Sequence, residues 1–172
     1  MTEVEPLLGT MARALQTVMD ERQIQAPALV GIHTGGVWIA QRLRQLLALD
    51  TPLASLDISF YRDDFSRIGL HPQVQPTELP FNIDDRPIVL VDDVLYTGRT
   101  IRAALDEIFD YGRPASVLLA TLVDRGGREL PIQADVVGLR LALSPTQQIK
   151  LTGPKPLQLD VRQLPPPKGG SL

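Results

Sequence analysis

The tightest constraint on how this chain folds is a run of apolar, mostly β-branched residues, Pro87-Ile88-Val89-Leu90-Val91, that leads directly into two carboxylates, Asp92-Asp93. A strand with no polar alternation is buried on both faces, the situation of a parallel sheet covered by helices. Three residues beyond the carboxylates comes Thr97-Gly98-Arg99-Thr100, and a helical pattern opens there, with Ile101, Leu105, Ile108 and Phe109 on one side and Gly112 as its stop. Strand, polar turn and helix therefore follow one another within about 25 residues, as one half of a parallel βαβ unit.

The same alternation recurs along the chain. Leu7, Leu8, Met11, Leu15, Val18 and Met19 have the spacing of an amphipathic helix, and Ala28–Ile32 reads as a buried strand. Val37 to Leu49 is helical in pattern, and Ala54, Leu56, Ile58 and Phe60 alternate with polar residues as a half-buried strand. Val117 to Val123 is a further strand and Ala134 to Leu139 a weaker one. This predicts an α/β fold with a central, mainly parallel sheet flanked by helices. With 172 residues the chain is expected to form one domain over 1–164. Between strands, residues 61–80 hold Pro72, Pro76 and Pro80 without periodicity and read as a long loop or irregular hairpin, a length that usually signals a functional lid. Residues 165–172, Pro/Gly-rich and without core formers, read as a disordered tail.

Composition removes several kinds of chemistry. The chain has no cysteine, which excludes disulfides, thiolate catalysis and cysteine-based metal sites, and its two histidines, His33 and His71, are too few for a histidine-rich metal centre. A net charge of −3 argues against a protein built around bulk binding of nucleic acid, although a local basic face remains open. The N-terminal residues are acidic where a secretory signal is basic, and no apolar run nears the ~18–20 residues of a membrane span, so the expectation is a cytoplasmic protein.

In open α/β sheets, ligands bind beyond the carboxyl ends of the strands, which sets Asp92 and Asp93 beside the Thr97–Thr100 turn in one crevice. Gly98 allows close backbone approach, the first N–H groups of the helix are unpaired, and two threonine hydroxyls add donors, a combination suited to phosphate. Adjacent carboxylates would repel that phosphate unless they hold something else. A cis-diol qualifies, since each charge-assisted bond to a hydroxyl contributes about 1.5–3 kcal/mol; magnesium is the other candidate. A sugar phosphate satisfies both halves of the segment.

Leu-Val-Asp-Asp-Val-Leu-Tyr-Thr-Gly-Arg-Thr, residues 90–100, resembles the phosphoribosyl pyrophosphate (PRPP) signature of type I phosphoribosyltransferases, in the form found in the PyrR family of pyrimidine operon attenuators that can also be uracil phosphoribosyltransferases. The likeness extends through Asp57–Asp64, Asp110–Pro114 and Leu122–Gly126 with Arg128–Ile132, in order and spacing, over about residues 7 to 139. It implies a type I phosphoribosyltransferase fold with a mobile lid and a small hood. It further implies PRPP bound by Asp92, Asp93, Val94, Leu95, Tyr96, Thr97, Gly98, Arg99 and Thr100, with Asp92 and Asp93 on the ribose diol and Thr97–Thr100 on the 5′-phosphate. By the same resemblance His33, Thr34, Gly35 and Gly36 form the pyrophosphate loop, whose peptide is often cis, and Tyr61, Arg62, Asp63 and Asp64 belong to the lid. Val137, Gly138 and Leu139 would stand in the hood over the base. Asp92, Asp93 and Arg62 would be the catalytic groups.

The implied reaction joins uracil to PRPP, giving UMP and pyrophosphate, with Mg²⁺ carried on the pyrophosphate and no dedicated protein ligand cluster. The implied regulation is UMP-dependent binding of pyrimidine-operon leader RNA, for which Arg13, Arg125, Arg128 and Arg140 are candidate contacts, in a homodimer or tetramer. Three positions depart from the family pattern: Gly35 replaces an arginine of the pyrophosphate loop, Gly127 a histidine, and Gly138–Ser144 the usual hood sequence. A non-catalytic UMP/PRPP sensor and a phosphoribosyltransferase for another base are the alternative readings.

Overall fold

The computed structural model describes residues 2–58 and 79–166. Eight strands and three helices follow in the order β1 (Thr2–Glu3), α1 (Glu5–Glu21), β2 (Ala28–Ile32), α2 (Gly35–Leu46), β3 (Leu53–Leu56), β4 (Pro87–Leu95), α3 (Arg99–Tyr111), β5 (Ser116–Asp124), β6 (Val136–Arg140), β7 (Gln147–Thr152) and β8 (Gln158–Gln163). Five of the strands form an all-parallel sheet in the order β3-β2-β4-β5-β6.

The unbroken apolar character of β4 has its explanation in the two cores on either side of the sheet. Val89 and Val91 pack with α1 and α2, through Leu8, Met11, Leu15, Ile39 and Leu43. Ile88 and Leu90 point the other way, toward Ile101, Ala104 and Ile108 of α3. Alternate side chains of one strand thus serve separate hydrophobic cores.

Four expectations are corrected or extended. The strand does not stop at Val91 but runs through both carboxylates to Leu95, because Asp92 and Val94 stay in parallel register with Thr121 and Val123 of β5. Phe109 is not on the core side of α3: it is 56% exposed, since Ile101, Ala104 and Ile108 already fill that face and Phe109 lies about 100° round from Ile108. The weak strand begins at Val136 rather than Ala134 and ends at Arg140. Beyond it, β7 and β8 form an antiparallel hairpin that joins β1 in a second, three-stranded sheet, unanticipated from the sequence. Ile149, Leu151, Leu157 and Leu159 of this hairpin complete the core beneath α1 and α2.

Candidate functional site

Two neighbouring strands of the large sheet send the chain in opposite directions. From β2 it passes through α2 to β3 at one edge, and from β4 through α3 to β5 on the other side. Such a divergence opens a crevice at the carboxyl ends of the strands. At its mouth lie residues 33–36 after β2 and residues 92–100 of β4 and the turn that follows. The His33–Thr34 peptide is cis.

Asp92 and Asp93 are successive strand residues and so project to opposite faces of the sheet. Asp92 is buried, at 2% exposure, and its Oδ1 accepts the Asp93 N–H at 2.9 Å. Asp93 is half-buried; its Oδ1 accepts the Val94 N–H at 2.9 Å, and its carboxylate lies against the first residue of α2. A Cβ placed on Gly35 would fall 2.5 Å from Asp93 Oδ2, so the absence of a side chain lets the loop of residues 33–36 and the strand approach this closely.

The phosphate turn is shaped by a loop on its outer side. The Tyr96 carbonyl accepts from Arg128 Nη1 at 2.8 Å, and the Thr97 carbonyl accepts from the N–H groups of Glu129 (2.9 Å) and Leu130 (3.2 Å). Arg128 also donates to the Ile132 carbonyl (2.8 Å) and to Asp124 Oδ2 (2.7 Å), and Arg99 Nε donates to Glu129 Oε2 at 2.7 Å. Within the turn itself, Thr97 Oγ1 accepts from the Arg99 N–H at 3.2 Å. Neither α2 nor α3 carries an acidic residue in its own first turn, and the carboxylate that meets the positive end of α2 is that of Asp93. The bracing by residues 128–130 leaves no mark in residue type, because it runs through backbone carbonyls.

Asp124, at the end of β5, titrates under two opposing influences. Burial alone would raise it, but the Arg128 hydrogen bond, the Gly126 N–H and the charges of Arg128 and Arg140 outweigh burial and hold it below the ordinary carboxylate range. Among the described residues no group of three or more histidine, aspartate or glutamate side chains gathers as a metal site.

The crevice brings together the expected residues 33–36 and 92–100. Tyr61, Arg62, Asp63 and Asp64 lie outside the described residues. Val137, Gly138 and Leu139 sit within β6, and Gly138 packs beneath α1, with Met11 next to it. Of the four arginines considered for RNA, Arg13 and Arg140 are exposed, whereas Arg125 is 9% exposed and Arg128 is committed to the contacts above. A separate cavity of about 800 Å³ between α2 and the β7–β8 turn, with Trp38, Arg42 and Leu157 in its lining, shares no residue with the crevice.

Comparison with known proteins agrees with this geometry. Residues 3–153 match the family model of the phosphoribosyl transferase domain. A protein of Nitrosococcus oceani named Bifunctional protein PyrR is 60% identical over 165 residues, covering 95% of this chain and 93% of the relative. One of the same name from Pseudomonas paraeruginosa is 58% identical over 160 residues, covering 93% and 94%. Among solved structures, a hypoxanthine-guanine phosphoribosyltransferase from Bacillus anthracis superposes with a TM-score of 0.65 at 17% identity, covering 83% of this chain and 80% of that one. A hypoxanthine phosphoribosyltransferase of Trypanosoma cruzi gives 0.64 at 18%, covering 81% and 77%. Fold, crevice and relatives converge, and the chain belongs to the PyrR family, within the type I phosphoribosyltransferases.

Proposed function

We propose that this chain transfers the phosphoribosyl group of PRPP to uracil, forming UMP and pyrophosphate, and that the same pocket, occupied by UMP, controls binding to pyrimidine-operon leader RNA. The observation that carries the reading is the paired carboxylates of β4 beside the Thr97–Thr100 turn that opens α3, at a strand divergence, in a chain that is 60% identical to a Bifunctional protein PyrR.

The turn of residues 97–100 would hold the 5′-phosphate, and Asp92 and Asp93 the ribose diol. A ring nitrogen of uracil then attacks C1 as the C1–O bond to pyrophosphate breaks, through an oxocarbenium-like state. Positive charge grows on the ring, and the nearby carboxylates offset it. The backbone of residues 33–36 would receive the leaving pyrophosphate. Lid residues Tyr61 to Asp64, with Arg62 against pyrophosphate, would exclude the water that could capture the cation. Magnesium carried in on PRPP would supply charge neutralisation of the leaving pyrophosphate. No protein nucleophile is required, in keeping with a chain without cysteine.

Labelled uracil, PRPP and Mg²⁺ should yield UMP, with Asp93→Asn as the control; no product above that control overturns the enzymatic reading. A gel shift with leader RNA at moderate salt should respond to UMP, and an unresponsive shift overturns the regulatory one. Arg13 and Arg140 are the exposed candidates for that contact. Self-association into a dimer or tetramer is proposed as well, supported by Phe109 and Tyr111 of α3, which are 56% and 53% exposed. Sedimentation would show it.

A further inference from the structure

A buried arginine stands beside the phosphate turn with no role in the chemistry above. Arg125 is 9% exposed, its guanidinium lies 3.9 Å from the centroid of the Tyr96 ring, and its Nη2 donates to the Ser144 carbonyl at 3.3 Å. Its Nε is buried without a partner, and no carboxylate among the described residues pairs with it. We propose that Arg125 is a positioning residue that locks the phosphate turn to the segment walling the base side of the pocket; the inference rests on the reading of the pocket as a UMP site.

The two contacts belong to different parts of the crevice. Tyr96 is in the turn between β4 and α3, and Ser144 lies four residues past the end of β6. That segment leaves the large sheet at the same end as β5, with the Leu141 N–H bonded to the Asp124 carbonyl at 3.0 Å. Arg125 directly follows β5, and its N–H donates to the Leu95 carbonyl at the end of β4, at 3.1 Å. One side chain therefore spans the phosphate and base sides of the pocket, through a ring face at one end and a carbonyl at the other.

Stability alone gives little reason for such a residue. A buried cation without a carboxylate, and with one donor unsatisfied, is a poor core element, and an apolar side chain of similar volume usually serves the fold as well or better. A cation held over an aromatic face, by contrast, fixes two groups in a defined relation. The arrangement suits precise spacing between a phosphate and a base.

Calorimetry on the full chain with UMP and with ribose 5-phosphate tests this, in the native protein, Arg125→Met and Arg125→Lys. Ribose 5-phosphate needs only the turn and the carboxylates, whereas UMP also needs the base wall in register. Arg125→Met should melt within a few degrees of the native protein and weaken UMP about tenfold or more, with ribose 5-phosphate changed less than about threefold. Arg125→Lys, which keeps the cation, should recover part of the loss. An unchanged ratio of the two affinities overturns the proposal, as does a large fall in melting temperature with that ratio intact, the mark of a purely structural residue. If the native protein itself fails to bind UMP, the reading of the pocket falls and this inference with it, an outcome distinct from failure in the variant alone.

Discussion

The carboxylate of Asp93 fills the space that a side chain at position 35 would need: a Cβ on Gly35 would lie 2.5 Å from Oδ2 and 2.8 Å from Cγ. Gly35→Ala must therefore displace either the Asp93 carboxylate, proposed to hold the ribose diol, or the start of α2. Overpacking of this kind costs about 1–3 kcal/mol in stability. Misplacement of a reacting group should lower kcat/KM by about a hundredfold. Thermal melts and steady-state kinetics on the one variant would separate the two effects.

Asp93→Asn keeps the shape of the side chain and removes its charge. Loss of a charge-assisted bond to the ribose, about 1.5–3 kcal/mol, should reduce kcat/KM between roughly tenfold and a hundredfold. The melting temperature should barely move, because Asp93 is half-buried at the crevice rather than in the core.

Chelation should divide turnover from product binding. If magnesium travels on pyrophosphate, EDTA abolishes UMP formation yet leaves the calorimetric affinity for UMP, which carries no pyrophosphate, within about twofold. Equal loss of both would place the metal on the protein instead.

The pairing of Asp124 with Arg128 predicts a specific pH dependence. The folded-state pKa of Asp124 is depressed below that of the unfolded chain, about 3.9, so its ionised form favours the native state. That stabilisation is complete above the unfolded value and is lost as pH falls through the folded one. Urea melts of native protein and Asp124→Asn should differ by a constant amount from neutrality to about pH 5, and the difference should shrink below about pH 4.

Gly126 and Gly127 both have left-handed backbone, at φ +72° and +82°, yet only the second touches the site. A Cβ on Gly126 meets nothing within 4 Å, whereas one on Gly127 would lie 2.5 Å from Tyr96 Cε2. Gly126→Ala should cost only the backbone penalty, about 1–2 kcal/mol. Gly127→Ala should cost more and also weaken ribose 5-phosphate binding, because it pushes on the phosphate turn.

What could be read from the sequence was what burial writes into residue type. Val89 and Val91 serve one core and Ile88 and Leu90 the other, so residues 88–91 of β4 had to be apolar without a break, and the carboxylates after them marked the candidate ligand end. Local polarity misled at the same place: two aspartates look like the end of a strand, and only the register with Thr121 and Val123 carries the strand onward to Leu95. The β7–β8 hairpin has its own alternation, Ile149 and Leu151, then Leu157 and Leu159, but each half is short and Gly153-Pro154-Lys155-Pro156 interrupts the pattern. Arg125 and Arg128 look like surface cations in a sequence. Their partners, a ring face and several carbonyls, come from segments that only the fold brings near.

The pairing of Thr2 with Leu159 and of Glu3 with Gln158 reaches further than its two residues. The paired residues lie far apart in the chain, so closing the small sheet spends the loop entropy of the long segment between them, a cost that grows only slowly with its length. The short strand ahead of α1 thereby acts as a tie between that helix and the β7–β8 hairpin.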